Sequence, residues 1–509
     1  MRIAIRVDAS IEIGTGHLKR CLSLVQALIE LGAEVSAITR ALDNVAAQVL
    51  RDALCPVRWL PAPEHPLAAV SWETPHASWA GVTWEQDAQD TLAALQLERP
   101  DWLVVDHYAF DARWHDAVRT ALGCRLLVID DTADRSLAPD VLLDHNWTPD
   151  HRAKYAGRLT QEPHWIAGPR YALLSPAYRN APRYAYQPEV RSIGIFMGGT
   201  DSDGVSARVL CACRAAGFTG AIEVVSTSAN PHLHALREAC AADSDTKLML
   251  DQPDLAGFFA RHDLQIGAGG GATWERCCIG TPTVAIAVAA NQSAVVPGLA
   301  LLGAVRDATE ATLADTVRQL IADLGARQDL SVRAAALVDG RGAQRVALLL
   351  LRDNLLLRLA TLDDAPLLHA WRNHPKVLTV SGNREAIVFA DHQGWMQRVM
   401  TSPDRWLFLA QVGDLPVGSI RFDRVMNGHF EVSLYTDPQL QGLGLGTRLL
   451  LAGEQQMHQQ LQEPFTVDAR VLAGNTASQR LFEGCGYDGG PLSYQKHIGA
   501  VPTSPEACP

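Results

Sequence analysis

The chain opens on a short apolar run, Arg2 to Val7, that reads as a buried first strand. From Leu18 to Leu31, Leu22, Val25, Leu28 and Ile29 recur at helical spacing and predict an amphipathic helix. Glu34 to Thr39 then reads as a second strand, with a helix from about Ala41 to Arg51. Trp102 to Asp106, Arg125 to Ile129 and Val141 to Leu143 are further buried strands. Each runs into a polar cluster: Asp106-His107-Tyr108, Asp130-Asp131 and Asp144-His145-Asn146. Apolar strands alternating with helical segments predict an open parallel α/β sheet, whose ligands bind beyond the C-terminal strand ends.

The alternation then restarts. Ser192 to Met197 is a strand followed by a helix to about Ala216, and Ala221 to Val225, Lys247 to Leu250, Leu264 to Ile266 and Thr283 to Ile286 are further strands. Arg179 to Pro188, with Pro182, Tyr184, Tyr186 and Pro188, reads as a linker. Two Rossmann-like domains facing each other form a cleft of the kind that suits a nucleotide sugar. From about Asn354 the pattern changes. Leu355 to Ala360 is strand-like, Thr361-Leu362-Asp363-Asp364 is a capping-box-like helix start, and Trp406 to Val412, Pro416 to Arg421 and Phe430 to Tyr435 alternate as antiparallel strands do. The expected fold class is α/β, with two Rossmann-like domains (1–180 and 189–345) followed by an α+β domain (354–500). Pro61 to Pro75 is expected to be a surface loop, and 501–509, with three prolines, a disordered tail.

The length of 509 residues fits about three domains. A net charge of −12 argues against broad nucleic-acid or anionic-membrane binding, yet leaves room for backbone amides to hold a small anion. The ten cysteines form no zinc or disulfide pattern. With no signal peptide and no apolar run long enough to span a bilayer, the expected location is cytoplasmic, without membrane insertion.

Three loops carry candidate chemistry. Asp8 to Gly16 joins the first strand to the first helix, and Gly14 and Gly16 allow a tight turn and close approach to a ligand. His17 then falls near a helix N-terminus, which disfavours the imidazolium and leaves a neutral ring able to accept a proton. A capping or packing histidine fits that spacing equally well. The second loop is Ile266-Gly267-Ala268-Gly269-Gly270-Gly271-Ala272-Thr273-Trp274-Glu275, a strand running through glycines into a helix. Its bare N–H groups, at Gly271 and Ala272 above all, can cradle a diphosphate; Thr273 adds a hydroxyl, and Glu275 is placed for ribose hydroxyls. Gly198-Gly199-Thr200-Asp201 is the matching loop earlier in the second domain, and Asn291-Gln292 follows the next strand. The third loop is Gln441-Gly442-Leu443-Gly444-Leu445-Gly446-Thr447, again between a strand and a helix.

The stretch R-x-D-x-x-x-x-I-G-x-G-H-x-x-R at residues 6–20 resembles the nucleotide-sugar hydrolases of pseudaminic acid biosynthesis, relatives of glycosyltransferases with the GT-B fold. M-G-G-T-D at 197–201, D-H-Y at 106–108 and Asn291-Gln292 match the same family, and the likeness covers about the first two-thirds of the chain. It implies inverting hydrolysis of UDP-2,4-diacetamido-2,4,6-trideoxy-β-L-altropyranose, with His17 activating water and Tyr108 touching substrate or water. Substrate contacts are implied at Arg6, Asp8, Gly14, Gly16, Gly199, Thr200, Gly271, Ala272, Thr273, Glu275, Asn291 and Gln292. No metal is expected. A glycosyltransferase with a sugar acceptor in place of water is the open alternative.

Q-x-x-G-x-G at 441–446 and Asn475-Thr476-Ala477-Ser478-Gln479-Arg480-Leu481-Phe482-Glu483-Gly484-Cys485-Gly486-Tyr487 resemble the GNAT acetyltransferases, over about Asn354 to Ile498. Trp371-Arg372-Asn373 resembles the branch holding the pseudaminic-pathway acetyltransferase. The resemblance implies acetyl-CoA as co-substrate, held by Leu434, Tyr435, Gln441, Gly442, Leu443, Gly444, Leu445, Gly446, Thr447, Asn475 and Ser478. Phe482 stands where many relatives carry a proton-donating tyrosine; Tyr435 or water is the substitute, and Glu431 a candidate base. The implied role is acetylation of the 4-amino group of the preceding UDP-amino-sugar. Another amine acceptor, or regulatory binding of acyl-CoA, remains open.

Overall fold

The computed structural model describes residues 1–64, 74–96, 98–490 and 492–499. Most of the expected loop from Pro61 to Pro75, and the expected tail at 501–509, therefore lie outside the described residues. The chain divides into two compact units, one made of Met1–Ile29 with Ala33–Val346, the other of Glu30–Gly32 with the chain from Ala347 on.

The first unit holds two parallel sheets. Strands β1 (Arg2–Val7), β2 (Glu34–Arg40), β3 (Val57–Leu60), β4 (Trp102–Asp106), β5 (Arg125–Ile129), β6 (Val141–Asp144) and β7 (His164–Ala167) form the first, in the order β3-β2-β1-β4-β5-β6-β7. β4 is buried at every position, which explains why it reads as an unbroken apolar run. The second sheet is built from β8 (Ser192–Phe196), β9 (Ala221–Ser226), β10 (Thr246–Leu250), β11 (Leu264–Ala268), β12 (Thr283–Ile286) and β13 (Arg306–Asp307), ordered β10-β9-β8-β11-β12-β13. Both orders reverse direction once, between β1 and β4 and between β8 and β11. Open parallel sheets bind ligands in the crevice such a reversal creates. These are the two Rossmann-like domains of a GT-B fold.

Local differences have physical reasons. The first helix spans Gly16–Glu30 and buries Leu18, Cys21, Leu24, Val25 and Leu28, while Leu22 and Ile29 are only half-buried. Its apolar face is thus rotated from the expected one, because Leu24 and Cys21 join the stripe. The helix expected from Ala41 is delayed to Asn44, where the Asp43 side chain accepts from the Val45 N–H and sets the start. The stretch expected as a linker is packed: Tyr184 donates its backbone N–H to the Ile279 carbonyl at 2.9 Å, and the Tyr186 hydroxyl donates to the Leu324 carbonyl at 2.9 Å.

The second unit holds one sheet of β14 (Leu356–Leu359), β15 (Arg405–Val412), β16 (Leu415–Met426), β17 (His429–Thr436), β18 (Phe465–Arg470), β19 (Asp488–Gly490) and β20 (Ser493–Ile498), in the order β14-β15-β16-β17-β18-β20-β19. Its pairings are antiparallel except β17 with β18, which run parallel. The capping box at Thr361 forms, with the Asp364 carboxylate accepting from the Thr361 N–H at 2.7 Å. Among the described residues no helix is long and apolar enough to cross a membrane.

Candidate functional site

The β1–β4 reversal builds the first half of the site. Gly14 takes a left-handed backbone (φ +77°), closed by a hydrogen bond from its N–H to the Ser10 carbonyl at 2.8 Å, and the turn delivers His17 to the first turn of its helix. Arg6 and Asp8, expected to contact substrate, lie beneath this loop with side chains fully buried. Arg6 donates to Asp8 at 2.8 Å and to Asp87 at 2.6 Å; Asp8 also accepts from the Arg40 N–H at 2.7 Å and the Thr39 hydroxyl at 3.1 Å. These groups are spent on one another. Arg6 and Asp8 belong to a buried ion network and have no exposed surface, a correction to their expected contact with substrate. His107 joins the same layer, its Nε2 3.2 Å from Asp8, and burial pushes its pKa down.

His17 Nδ1 lies 2.6 Å from Asp106 Oδ1, at the end of β4. Arg20, one helical turn on, grips the same carboxylate through Nε and Nη2, each at 2.6 Å. Burial opposes the charge on Asp106, but Arg20 and His17 outweigh it and hold the carboxyl far below the usual range. An ionised Asp106 accepts from Nδ1–H, which fixes the tautomer and leaves the Nε2 lone pair as the base. Arg20 sits 3.1 Å from Nδ1 as well, and by saturating Asp106 it keeps that carboxylate from taking the proton.

Aromatic rings wall this centre. Tyr108 meets the His17 ring edge-on at 4.5 Å and stacks on Trp79 at 5.6 Å, with His76 5.4 Å away. The Tyr108 hydroxyl donates to Asp131, and burial together with that carboxylate pushes the phenol well above its ordinary range, so it stays protonated. Asp131 accepts from the Asn146 amide at 2.9 Å, and Asn146 in turn accepts from the Trp274 indole N–H at 3.2 Å. That indole belongs to the second domain, so one asparagine ties the two halves together. Beside it, burial pulls His145 down to about 4, and the same cause lifts Asp144 to about 7 although Lys154 Nζ stands 2.6 Å from its carboxylate.

The β8–β11 reversal builds the facing half. After β11 the chain passes through Gly269–Gly271 into the helix Ala272–Ile279. A Cβ on Gly269 would stand 2.2 Å from Val296 Cγ2, so only glycine fits. The Gln292 side-chain Oε1 pins the turn by accepting from the N–H groups of Gly269 at 3.1 Å and Val288 at 3.0 Å, while Asn291 is exposed beside it. The N–H groups of Gly270, Gly271 and Ala272 take no acceptor from the described residues. Thr273 differs from expectation. It is fully buried, and its hydroxyl donates to the Ala268 carbonyl at 3.2 Å rather than facing the crevice. Glu275 accepts from the Tyr178 hydroxyl; burial raises its pKa, against that bond and the nearby charge of Lys19 on the first domain's helix. In the β8 loop Gly199 and Thr200 are half-buried, and Asp201 caps the next helix by accepting from the N–H groups of Val205 at 2.8 Å and Ser206 at 3.1 Å.

In the second unit, β17 pairs with β18 only from His429 to Val432, so the two strands part at Ser433 and expose the backbone of Leu434 and Tyr435. Gln441–Thr447 follows, with Gly442 (φ +87°) and Gly444 (φ +73°) in left-handed backbone and the helix Leu445–Leu461 starting there. The Leu443 and Leu445 side chains are buried in the core, which leaves only their backbone to line the loop. Ser478 is half-buried in the first turn of the next helix, and Asn475 spends its Oδ1 capping that turn by accepting from the Ser478 N–H at 3.2 Å. Phe482 is buried against Tyr487 and Tyr494. Burial pushes Tyr435 up to about 12, which keeps its hydroxyl a proton donor, and Glu431 lies 3.3 Å from Arg470.

Asp106, Arg20, Asp131 and Asn146 stand in the motifs and polar clusters read from the sequence, but sequence reasoning gave none of them a site role. Their local signal is position: polar residues closing buried strands, and an arginine one turn after His17.

Comparisons with known proteins match different parts of the chain. Residues 354–488 match the family described as acetyltransferase (GNAT) domain. The spore coat polysaccharide biosynthesis protein SpsG of Bacillus subtilis is 29% identical over 275 residues, covering 52% of this chain and 80% of that protein. A UDP-2,4-diacetamido-2,4,6-trideoxy-beta-L-altropyranose hydrolase of Campylobacter jejuni is 21% identical over 256 residues, or 50% of this chain and 80% of its own. Among solved structures, MurG of Acinetobacter baumannii covers 69% of this chain at 15% identity with a TM-score of 0.48, and spans 99% of its own length. AAC(6')-Ib in complex with ribostamycin and coenzyme A covers 28% of this chain and 93% of its own at 18% identity, with a TM-score of 0.26. The chain therefore joins an N-terminal part similar to SpsG and a UDP-sugar hydrolase to a C-terminal GNAT domain.

Proposed function

We propose that the first two domains hydrolyse UDP-2,4-diacetamido-2,4,6-trideoxy-β-L-altropyranose to UDP and the free sugar. In this reading the GNAT domain transfers acetyl from acetyl-CoA to the 4-amino group of the preceding UDP-amino-sugar, making the chain a bifunctional enzyme of pseudaminic acid biosynthesis. The carrying observation is the His17–Asp106 contact at 2.6 Å, at the reversal of one sheet, in a domain partnered with a glycine loop at the reversal of another.

His17 Nε2 takes a proton from water as the water oxygen attacks the anomeric carbon from the face opposite the diphosphate, which inverts the centre. The imidazolium that forms is held by Asp106. The C–O bond to the diphosphate breaks, and negative charge grows on the β-phosphate, where the N–H groups of Gly270, Gly271 and Ala272 stabilise it more than they stabilise the substrate. Glu275 accepts from the ribose hydroxyls. The Tyr108 hydroxyl, anchored on Asp131, closes one wall against the sugar. In the GNAT domain the amides of Gly442–Gly446 hold the pyrophosphate of acetyl-CoA, the β17–β18 gap takes its acyl arm, and Tyr435 protonates the departing thiolate.

An NMR time course with UDP-4-amino-4,6-dideoxy-N-acetyl-β-L-altrosamine and acetyl-CoA tests both halves. Wild type is expected to give UDP and the free diacetamido sugar, and His17→Ala to stop at the acetylated nucleotide. UDP that stays attached in both samples would sink the hydrolase reading and favour an acceptor sugar. No acetylation in either would sink the assignment of the amine.

A further inference from the structure

Arg276 is a buried cation in an unusual place. It lies on the helix Ala272–Ile279, is wholly removed from solvent, and donates through Nη2 to the Ala268 carbonyl at 2.7 Å and the Thr273 hydroxyl at 3.0 Å. Its Nε and Nη1 have no hydrogen-bond partner among the described residues. A Cβ on Gly267 would stand 2.3 Å from Nη1 and 2.7 Å from the Phe196 carbonyl oxygen, so the guanidinium lies against the bare Cα of Gly267, beside the end of β8. β8 and β11 flank the reversal of this sheet, and each runs straight into a glycine-bearing loop. Burial lowers the guanidinium pKa to about 10, which still leaves it charged at neutral pH.

A buried charge with open donors destabilises a fold, and replacing such groups by neutral ones is often harmless or stabilising. Its position suggests what offsets that cost. Carbonyls at the C-terminal ends of parallel strands point toward the crevice and oppose an anion there. Arg276 and Thr273 together occupy the Ala268 carbonyl, at the strand end that leads directly into the amides of Gly270 to Ala272. In a low-dielectric interior its field reaches the crevice with little screening.

We propose that Arg276 is an electrostatic positioning residue for the diphosphate site, its buried charge favouring the anion bound on the glycine loop without touching it. This rests on the reading that the loop holds a diphosphate. The alternative is that Arg276 only braces the loop through its hydrogen bond to Ala268.

Calorimetry on the full chain with UDP and with uridine separates the two. Arg276→Gln keeps a neutral donor and loses the charge. It is expected to bind UDP about 10- to 100-fold more weakly, to bind uridine as wild type does, and to melt no lower than wild type. Arg276→Lys is expected to keep the preference for UDP over uridine. Equal loss of UDP and uridine in Arg276→Gln, or no loss of UDP, overturns the inference while the loop reading stands. Wild type that binds UDP no better than uridine overturns both. Should Arg276→Gln fail to fold, Arg276→Lys still decides: it keeps the charge but not the guanidinium's bond geometry to Ala268, so a UDP preference like that of wild type supports the inference and its loss overturns it.

Discussion

The loops after β1 and β11 each follow one of the two strands that flank the reversal of a parallel sheet, and each opens a helix. They work through different parts of the chain. After β1 the proposed group is the His17 side chain, whose ring is oriented by the Asp106 carboxylate at the end of β4 and by Arg20 one helical turn on. After β11 the proposed groups are backbone amides, left without an acceptor among the described residues in a loop where glycine leaves them bare. Proton transfer needs an oriented ring with a partner for the charge it gains, so it draws on a carboxylate far along the chain. Anion binding needs only fixed dipoles, so one continuous stretch supplies it.

Asp106→Asn should show that dependence most strongly. The amide cannot fix the same tautomer of His17 or stabilise its imidazolium, and UDP release should slow by about 10²- to 10⁴-fold while UDP affinity stays near wild type. A parallel loss of UDP affinity would mean that the two loops do not divide the labour. Gly269→Ala should do the opposite. A Cβ 2.2 Å from Val296 forces the glycine turn to shift, costing about 1–3 kcal/mol of stability and weakening UDP binding, with the pH dependence of the remaining hydrolysis unchanged.

The smallest effect concerns pH. Asp144, near His145 and Asn146, has a folded pKa of about 7 against an ordinary 3.8, so folding favours its protonated form. That contribution is complete below about pH 4 and is lost as pH rises through 7. Asp144→Asn should therefore gain melting temperature relative to wild type between pH 5 and pH 8. A difference that stays constant over that range would show that Lys154 keeps the carboxylate ionised throughout.

The same contrast explains what could be read in advance. Strands such as β4 and β11 were legible because they are buried at every position, and the glycine loops because their chemistry is local. Short edge strands such as β3, β7 and β13 were not, since four residues or fewer carry little periodicity. The partner of His17 lies 89 positions away, and nothing in either local stretch announces it. Arg6, Asp8 and Thr273 show the reverse failure. A polar residue beside a ligand loop looks alike in sequence whether it faces the ligand or supports the loop from behind. Only the sheet's layering told them apart, turning Arg6 and Asp8 into a buried ion network and Thr273 into a cap on Ala268.

The central claim is that His17 and Asp106 drive water onto the anomeric carbon while the diphosphate leaves intact. Hydrolysis of the diacetamido UDP-sugar in ¹⁸O-labelled water, with both products weighed by mass spectrometry, tests it most directly. The account predicts one ¹⁸O at the anomeric position of the first-formed sugar, assayed before exchange with solvent, and none in UDP. Label in the β-phosphate of UDP would place the attack on phosphorus and contradict it.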